Sequence, residues 1–133
     1  MKIHEYQAKD LLRGYGVPLL AGTAANTAEG AVEAARAIDA PLWVVKSQMH
    51  AGGRGKGRFI EQVSADSVAK ASRGEDVEEG AGGVRLARSL DDVRSHAASM
   101  LGSTLVTKQT GAEGKQVSTV FVEAGCDIDR ELY

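Results

Sequence analysis

Apolar residues recur first at helical spacing and then in short β-branched runs. Ala8, Leu11, Leu12 and Tyr15 stand at i, i+3, i+4 and i+7 within Ile3–Tyr15. They form one apolar helical stripe, with Glu5, Lys9 and Arg13 off it. Gly16 and Pro18 then supply a stop signal. A second helix is expected from Asn26 or Thr27, where Asn26 can cap the first amides and Glu29 completes a capping box. Its buried face is Ala31, Ala34, Ala35 and Ile38. Leu42–Lys46 reads as a buried strand ending in a lysine, and Arg58–Val63 as a further strand. Val84–Ala87 is a short strand. Ser89-Leu90-Asp91-Asp92 opens a helix that turns Val93, Ala97, Met100 and Leu101 inward, and Gly102 closes it. Leu105–Thr107 and Val117–Val122 read as two strands of one β-hairpin around Thr110–Gly114. Helices alternating with short strands predict an α+β (α/β) domain.

One stretch departs from this rhythm. Between Glu61 and Gly83 stand six acids and two bases, with few large apolar residues. It reads as a solvated, partly ordered loop.

Composition narrows the class without changing the fold reading. The 133 residues suit a single domain, 1–133, with 43% hydrophobic and 26% charged residues. The net charge of −2 argues against a nucleic-acid binder. No run reaches the roughly 18 apolar residues of a membrane span. The polar opening Met1–Asp10 does not read as a secretory signal. The lone Cys126 suits a reducing compartment. A cytoplasmic protein without membrane or nucleic-acid partners is expected.

The sharpest candidate chemistry lies in Lys46–Arg58. Gly52, Gly53, Gly55 and Gly57 crowd together with Lys46, Arg54, Lys56 and Arg58, and no acid interrupts them. Glycines let backbone amides approach an anion, and the cations neutralise it. The segment reads as a phosphate-covering loop beside a strand-borne Lys46; the plainer reading is a surface turn with solvated charges. A Walker A loop is excluded because Gly57, rather than Ser or Thr, follows Lys56. A dinucleotide fingerprint fails because Arg58 stands where the last glycine belongs. A second cluster, Phe121–Glu131, ends a strand near Glu123 and bends at small residues. It could offer backbone groups to a purine edge and a carboxylate to ribose hydroxyls, or simply place solvated acids. The histidines His4, His50 and His96 show no metal-ligand spacing. Cys126 has no visible base beside it, and Trp43 is expected in the core.

Several of these segments together resemble a known family. Ile3-His4-Glu5-Tyr6-Gln7-Ala8-Lys9, Trp43–Lys46, His50–Lys56, Gly82-Gly83-Val84, Leu105–Thr107, Gln109-Thr110 and Glu131-Leu132-Tyr133 occur in the order found at the start of succinyl-CoA synthetase β subunits. These are the ADP-forming succinate–CoA ligases of the tricarboxylic acid cycle. The resemblance runs nearly end to end, and malate–CoA ligase and ATP-citrate lyase open similarly.

The resemblance implies the N-terminal portion of an ATP-grasp fold, which binds its nucleotide between two α+β subdomains. It matches Lys46 to the phosphate-contacting lysine and Gly53, Arg54 and Gly55 to the segment covering the phosphates. Glu123 and Cys126 match positions lining the adenine edge, and Glu131 the ribose-side carboxylate. ATP or ADP is the implied nucleotide, with Mg²⁺ held by ligands expected beyond this chain. The implied partner is the α subunit, which carries the phosphorylated histidine. The chain alone is expected to be inactive. A segment of malate–CoA ligase, a related acid–CoA ligase, or a non-catalytic nucleotide-binding fragment is the alternative. Three departures stand out, the foremost being that members of the family it resembles run on past the position of Tyr133 through the rest of the ATP-grasp domain and a ligase domain. Ser64–Ala81 looks like an acidic insertion, and Leu19-Leu20 replaces a proline-containing pair near the nucleotide.

Overall fold

A computed structural model describes residues 3–125. The elements run α1 (Glu5–Gly14), β1 (Gly22–Ala25), α2 (Ala28–Arg36), β2 (Trp43–Gln48), β3 (Arg58–Phe59), α3 (Ala65–Ser72), β4 (Val84–Ala87), α4 (Leu90–Met100), β5 (Thr104–Val106), β6 (Lys115–Gln116) and β7 (Thr119–Ala124). Two antiparallel sheets result. The larger has the order β1-β7-β2-β4 and the smaller β3-β5-β6.

The strand period of two divides the larger sheet into two unlike faces. Val45 pairs with Val122 across β2 and β7, and both are fully buried beneath α2 and α4. Ala31, Val32 and Ala35 of α2 and Val93, Ala97 and Met100 of α4 complete this core. Burying one valine or leucine side chain is worth about 1.5–3 kcal/mol, so this layer fixes both helices. Their caps agree with it. The Thr27 side chain accepts from the Gly30 N–H at 2.9 Å, and Ser89 from the Asp92 N–H at 3.0 Å. Asn26 does not cap α2; its side-chain oxygen accepts from the Thr119 hydroxyl at 2.9 Å.

The opposite face presents Val44, Lys46 and Gln48 of β2 beside Glu123 and Phe121 of β7 and Leu86 and Val84 of β4. α1 lies over it, and here the structure reverses the expected orientation. No residue of α1 is buried. Leu11 and Tyr15 are 60% and 82% exposed, whereas Glu5 and Lys9 reach the sheet. The helical period located the helix; charged groups waiting on the sheet chose its inner face.

Other expectations change as well. β1 was not foreseen in the small-residue segment after Pro18. It pairs with β7, and Gly22 leaves space that the Phe121 ring occupies. The expected hairpin does not form between Leu105–Thr107 and Val117–Val122. β5 pairs with β6, and β7 crosses to the larger sheet. Thr107 and Thr110 tie the turn after β5 through reciprocal backbone-to-hydroxyl bonds of 2.9 and 3.3 Å. Gly111 and Gly114 take positive φ on the way to β6. The acidic stretch is also more than a loop, because Ser64 caps α3 and Ala71 packs on Val106 and Val77. The expected strand at Arg58–Val63 shrinks to the two residues of β3. Trp43 is half-buried at the core's edge, donating its indole N–H to the Ile38 carbonyl at 3.2 Å.

Candidate functional site

The open face of the larger sheet gathers a charged cluster. Lys46 Nζ stands 2.9 Å from Glu5 Oε1 and 3.1 Å from Glu123 Oε1. Lys9 Nζ bridges the same two carboxylates, 3.0 Å from Glu5 Oε1 and against Glu123 Oε2. It also lies 5.3 Å from the centre of the Phe121 ring. Arg54 closes the group from the loop after β2, with Nη2 2.8 Å from Glu5 Oε2 and Nη1 donating to the Ser47 carbonyl at 2.6 Å. Three cations thus surround two carboxylates. The Glu123 side chain is only 5% exposed, and the other four are between 18% and 22%.

Electrostatics reflect this packing. Burial works to raise the Glu5 pKa, but hydrogen bonds from Lys46, Arg54 and Lys9 outweigh it and bring it down to about 2. Burial works against the Lys9 ammonium, yet bonds to Glu123 and Glu5 raise its pKa. His4 is pushed down by burial and by the charges of His50 and Arg54. Its ring stacks on His50 with centroids 4.1 Å apart.

The glycine-rich segment is held close to the cluster by the backbone. Gly83 N–H donates to the Arg54 carbonyl at 2.8 Å, and the Gly83 carbonyl accepts from Ser47 N–H at 2.7 Å. Gly53 adopts φ +78°, which suits glycine. Its carbonyl accepts from the N–H groups of Lys56 and Gly57 at 3.1 and 3.0 Å. The four cations of this basic run separate. Lys46 and Arg54 join the cluster. Lys56 pairs with Asp76 at 3.2 Å, both largely exposed. Arg58 turns to the acidic stretch, donating to the carbonyls of Glu79 at 2.8 Å and of Val77.

Beside Lys46 and Glu123 opens an apolar pocket of about 270 Å³, walled by Leu20, Leu42, Val44, Leu86, Ala124 and Gly125. One end is therefore hydrophobic and the other is formed by the Lys46–Glu123 ion pair, which suits a flat apolar group with a polar attachment. Gly125 N–H is committed to the Leu42 carbonyl at 2.9 Å. Cys126 and Glu131 lie outside the described residues. Among the described residues, no group of three or more His, Cys, Asp or Glu could hold a metal ion.

The structure thus brings Lys46, Arg54 and Glu123 together and places Gly53 and Gly55 on the adjoining loop. Glu5 and Lys9 join the same cluster without having been singled out as site residues. Their i, i+4 spacing on a helix was the available signal, since it puts both on one edge.

This arrangement belongs to a class of proteins with relatives. A family model described as an ATP-grasp domain matches residues 2–133. The chain belongs to the ATP-grasp family, and its α+β architecture of two antiparallel sheets fits that fold. Among curated proteins it is 55% identical to the succinate–CoA ligase [ADP-forming] subunit beta of Sinorhizobium medicae (strain WSM419). It is 56% identical to that of Acidiphilium cryptum (strain JF-5) and 55% to that of Chelativorans sp. (strain BNC1). Each match covers all 133 residues of this chain and 30% of the relative. The chain therefore spans about a third of the length of these relatives.

Proposed function

We propose that this chain is the nucleotide-binding opening part of the β subunit of an ADP-forming succinate–CoA ligase. The complete enzyme converts succinyl-CoA, phosphate and ADP into succinate, CoA and ATP through a phosphohistidine on a partner α subunit. The carrying observation is that Lys46, which lines the apolar pocket on the sheet's open face, shares the Glu5 carboxylate with Arg54. In this reading the adenine enters the pocket between Leu20, Val44 and Leu86, and the phosphates reach Lys46 and Arg54. Gly53 and Gly55 let the loop backbone close over the phosphates. Two fixed cations lower the cost of bringing a phosphoryl group against an anionic acceptor. Glu123 keeps Lys46 aimed at the pocket, and Cys126 and Glu131 supply the remaining contacts to base and ribose. Mg²⁺, which neutralises nucleotide phosphates when bound, is assigned no ligand among the described residues. The enzyme is cytoplasmic in this reading; no helix of the described residues is long and apolar enough to cross a membrane.

The test is Lys46→Ala in the full-length β subunit assembled with its α subunit. Nucleotide-dependent histidine phosphorylation should fall at least tenfold, the loss expected when a charge-assisted phosphate contact of about 1.5–3 kcal/mol is removed. An unchanged rate would remove Lys46 from the nucleotide site.

A further inference from the structure

We propose that Glu5 is a positioning residue of the phosphate site, holding Lys46 and Arg54 in place while offsetting part of their charge. The proposal rests on the reading that Lys46 and Arg54 meet nucleotide phosphates. Its observation is separate from that reading. One carboxylate spans the two cations, with Oε1 2.9 Å from Lys46 Nζ and Oε2 2.8 Å from Arg54 Nη2. No other described acid touches both: Glu123 reaches Lys46 and Lys9, and the other bond of Arg54 goes to the Ser47 carbonyl.

The spacing resembles what a bridging phosphate oxygen pair would present to the same two groups. A lysine and an arginine from different segments, β2 and the glycine loop, have no covalent reason to converge. Glu5 supplies one from a third segment, the first turn of α1. Its place there also sets its negative charge against the helix N-terminus. Tyr6 N–H donates to the Gln48 side chain at 3.1 Å, fixing that first turn to β2 beside Lys46.

Two opposing consequences follow for a variant without the charge. Three cations would face one carboxylate instead of two, so attraction for a phosphate rises. Lys46 and Arg54 would also lose their common anchor, so their alignment for transfer falls. A residue that only pinned α1 to the sheet would not separate these effects. It would weaken binding and turnover together.

The experiment uses the full-length β subunit assembled with its α subunit, with ADP as the varied substrate. Glu5→Gln should lower kcat about tenfold while the KM for ADP stays level or falls, the pattern of an interaction realised in the transition state. Glu5→Asp keeps the charge with a shorter reach, and should recover at least half of the lost kcat. Should Glu5→Gln fail to fold, Glu5→Asp alone decides, with a reduced kcat at unchanged KM expected. An unchanged kcat, or a raised KM with kcat intact, overturns the proposal. Lys46→Ala is measured alongside. If it too leaves turnover and ADP affinity unchanged, the nucleotide-site reading fails; if it impairs them while Glu5→Gln does not, only the role of Glu5 falls.

Discussion

Gly82 stands so close to Gly55 that a Cβ on it would overlap the Gly55 carbonyl oxygen and lie 2.8 Å from the carbonyl carbon. The Arg54 carbonyl oxygen would be 3.0 Å away. All these neighbours are backbone, so no side-chain rotation relieves the overlap. The glycine loop takes its position over the cluster from this contact and from the Gly83-to-Arg54 hydrogen bond. Gly82→Ala must therefore push Gly55 and Arg54 outward. The expected result is a roughly 1–3 kcal/mol loss of stability, as for other overpacked sites, and, on the proposed nucleotide-site reading, an ADP affinity reduced about tenfold. Gly14→Ala is the comparison, because nothing lies within 4 Å of its added Cβ; its stability should change by no more than about 0.5 kcal/mol. Chemical denaturation and ADP titration of both variants decide the matter, and an unaltered Gly82→Ala protein would show that the loop adapts freely.

Much of this was legible in the sequence where one residue type has one physical use. Ser89 before an apolar period could only be a cap, and Val93, Ala97 and Met100 are buried as their spacing required. Lys46 at the end of a β-branched run, followed by glycines, pointed to two members of the charged cluster, Lys46 and Arg54. Orientation was harder to read. The stripe Leu11, Leu12 and Tyr15 implies an inward face only if the helix docks by apolar burial. α1 instead docks through Glu5 and Lys9, whose partners Lys46 and Glu123 lie 41 and 114 residues further along the chain. Strand pairing was similarly hidden. β1, Gly22–Ala25, has little intrinsic strand preference, and it forms because β7 offers an edge with Phe121 over Gly22. The expected β5–β7 hairpin gave way to the shorter β5–β6 connection, which left β7 for the larger sheet.

Glu123 should couple to Lys9 more strongly than surface ion pairs do. Its side chain is 5% exposed and contacts both Lys9 and Lys46. Replacing it with Gln leaves two ammonium groups facing a neutral amide. The expected loss is about 2–4 kcal/mol, between a deleted charge-assisted hydrogen bond and a broken buried pair. Lys9→Met removes one of the stranded cations, so the double variant should recover about 1 kcal/mol relative to additivity. A cycle that closes to zero in denaturation experiments would place the two groups outside one another's influence.

The same cluster sets a pH dependence with a definite sign. The Glu5 pKa falls from an ordinary 4.5 to about 2 on folding. A carboxylate with a depressed folded pKa stabilises fully above its unfolded value, and the contribution disappears as pH falls through the folded value. Wild-type protein should therefore lose stability between pH 4.5 and 2 more steeply than Glu5→Gln, the two curves converging near pH 2. Lys9 acts at the other limit. Its folded pKa is raised above 10.5, so its contribution is complete below 10.5 and fades above the folded value. Urea midpoints measured from pH 2 to 7 test the acid limb. Parallel curves for wild type and Glu5→Gln across that range would contradict the assignment.

One carboxylate, Glu79, ties the acidic stretch to the start of α3. Its oxygens accept from the Ser64 N–H at 3.1 and 3.2 Å and from the Ser64 hydroxyl at 2.7 Å, and the Ser67 hydroxyl donates to it as well. These bonds from Ser67 and Ser64 hold the Glu79 pKa below its ordinary value. Ser64 is also the cap of α3, its oxygen accepting from the Ser67 N–H at 3.3 Å. Glu79 thus fixes the start of α3 from outside the helix, while its own backbone carbonyl holds Arg58. α3 has eight residues, too few for a stable isolated helix in water, and its buried residues are Ser67 and Ala71. Removing Glu79 should consequently release α3 without disturbing the α2–α4 core or the charged cluster. Glu79→Ala is expected to speed amide hydrogen exchange in residues 65–73 at least tenfold and to leave α2 and α4 unchanged. Exchange that rises equally in α2 would mean that the stretch supports the whole fold; exchange that does not rise in α3 would transfer its anchoring to Ala71 and Val77.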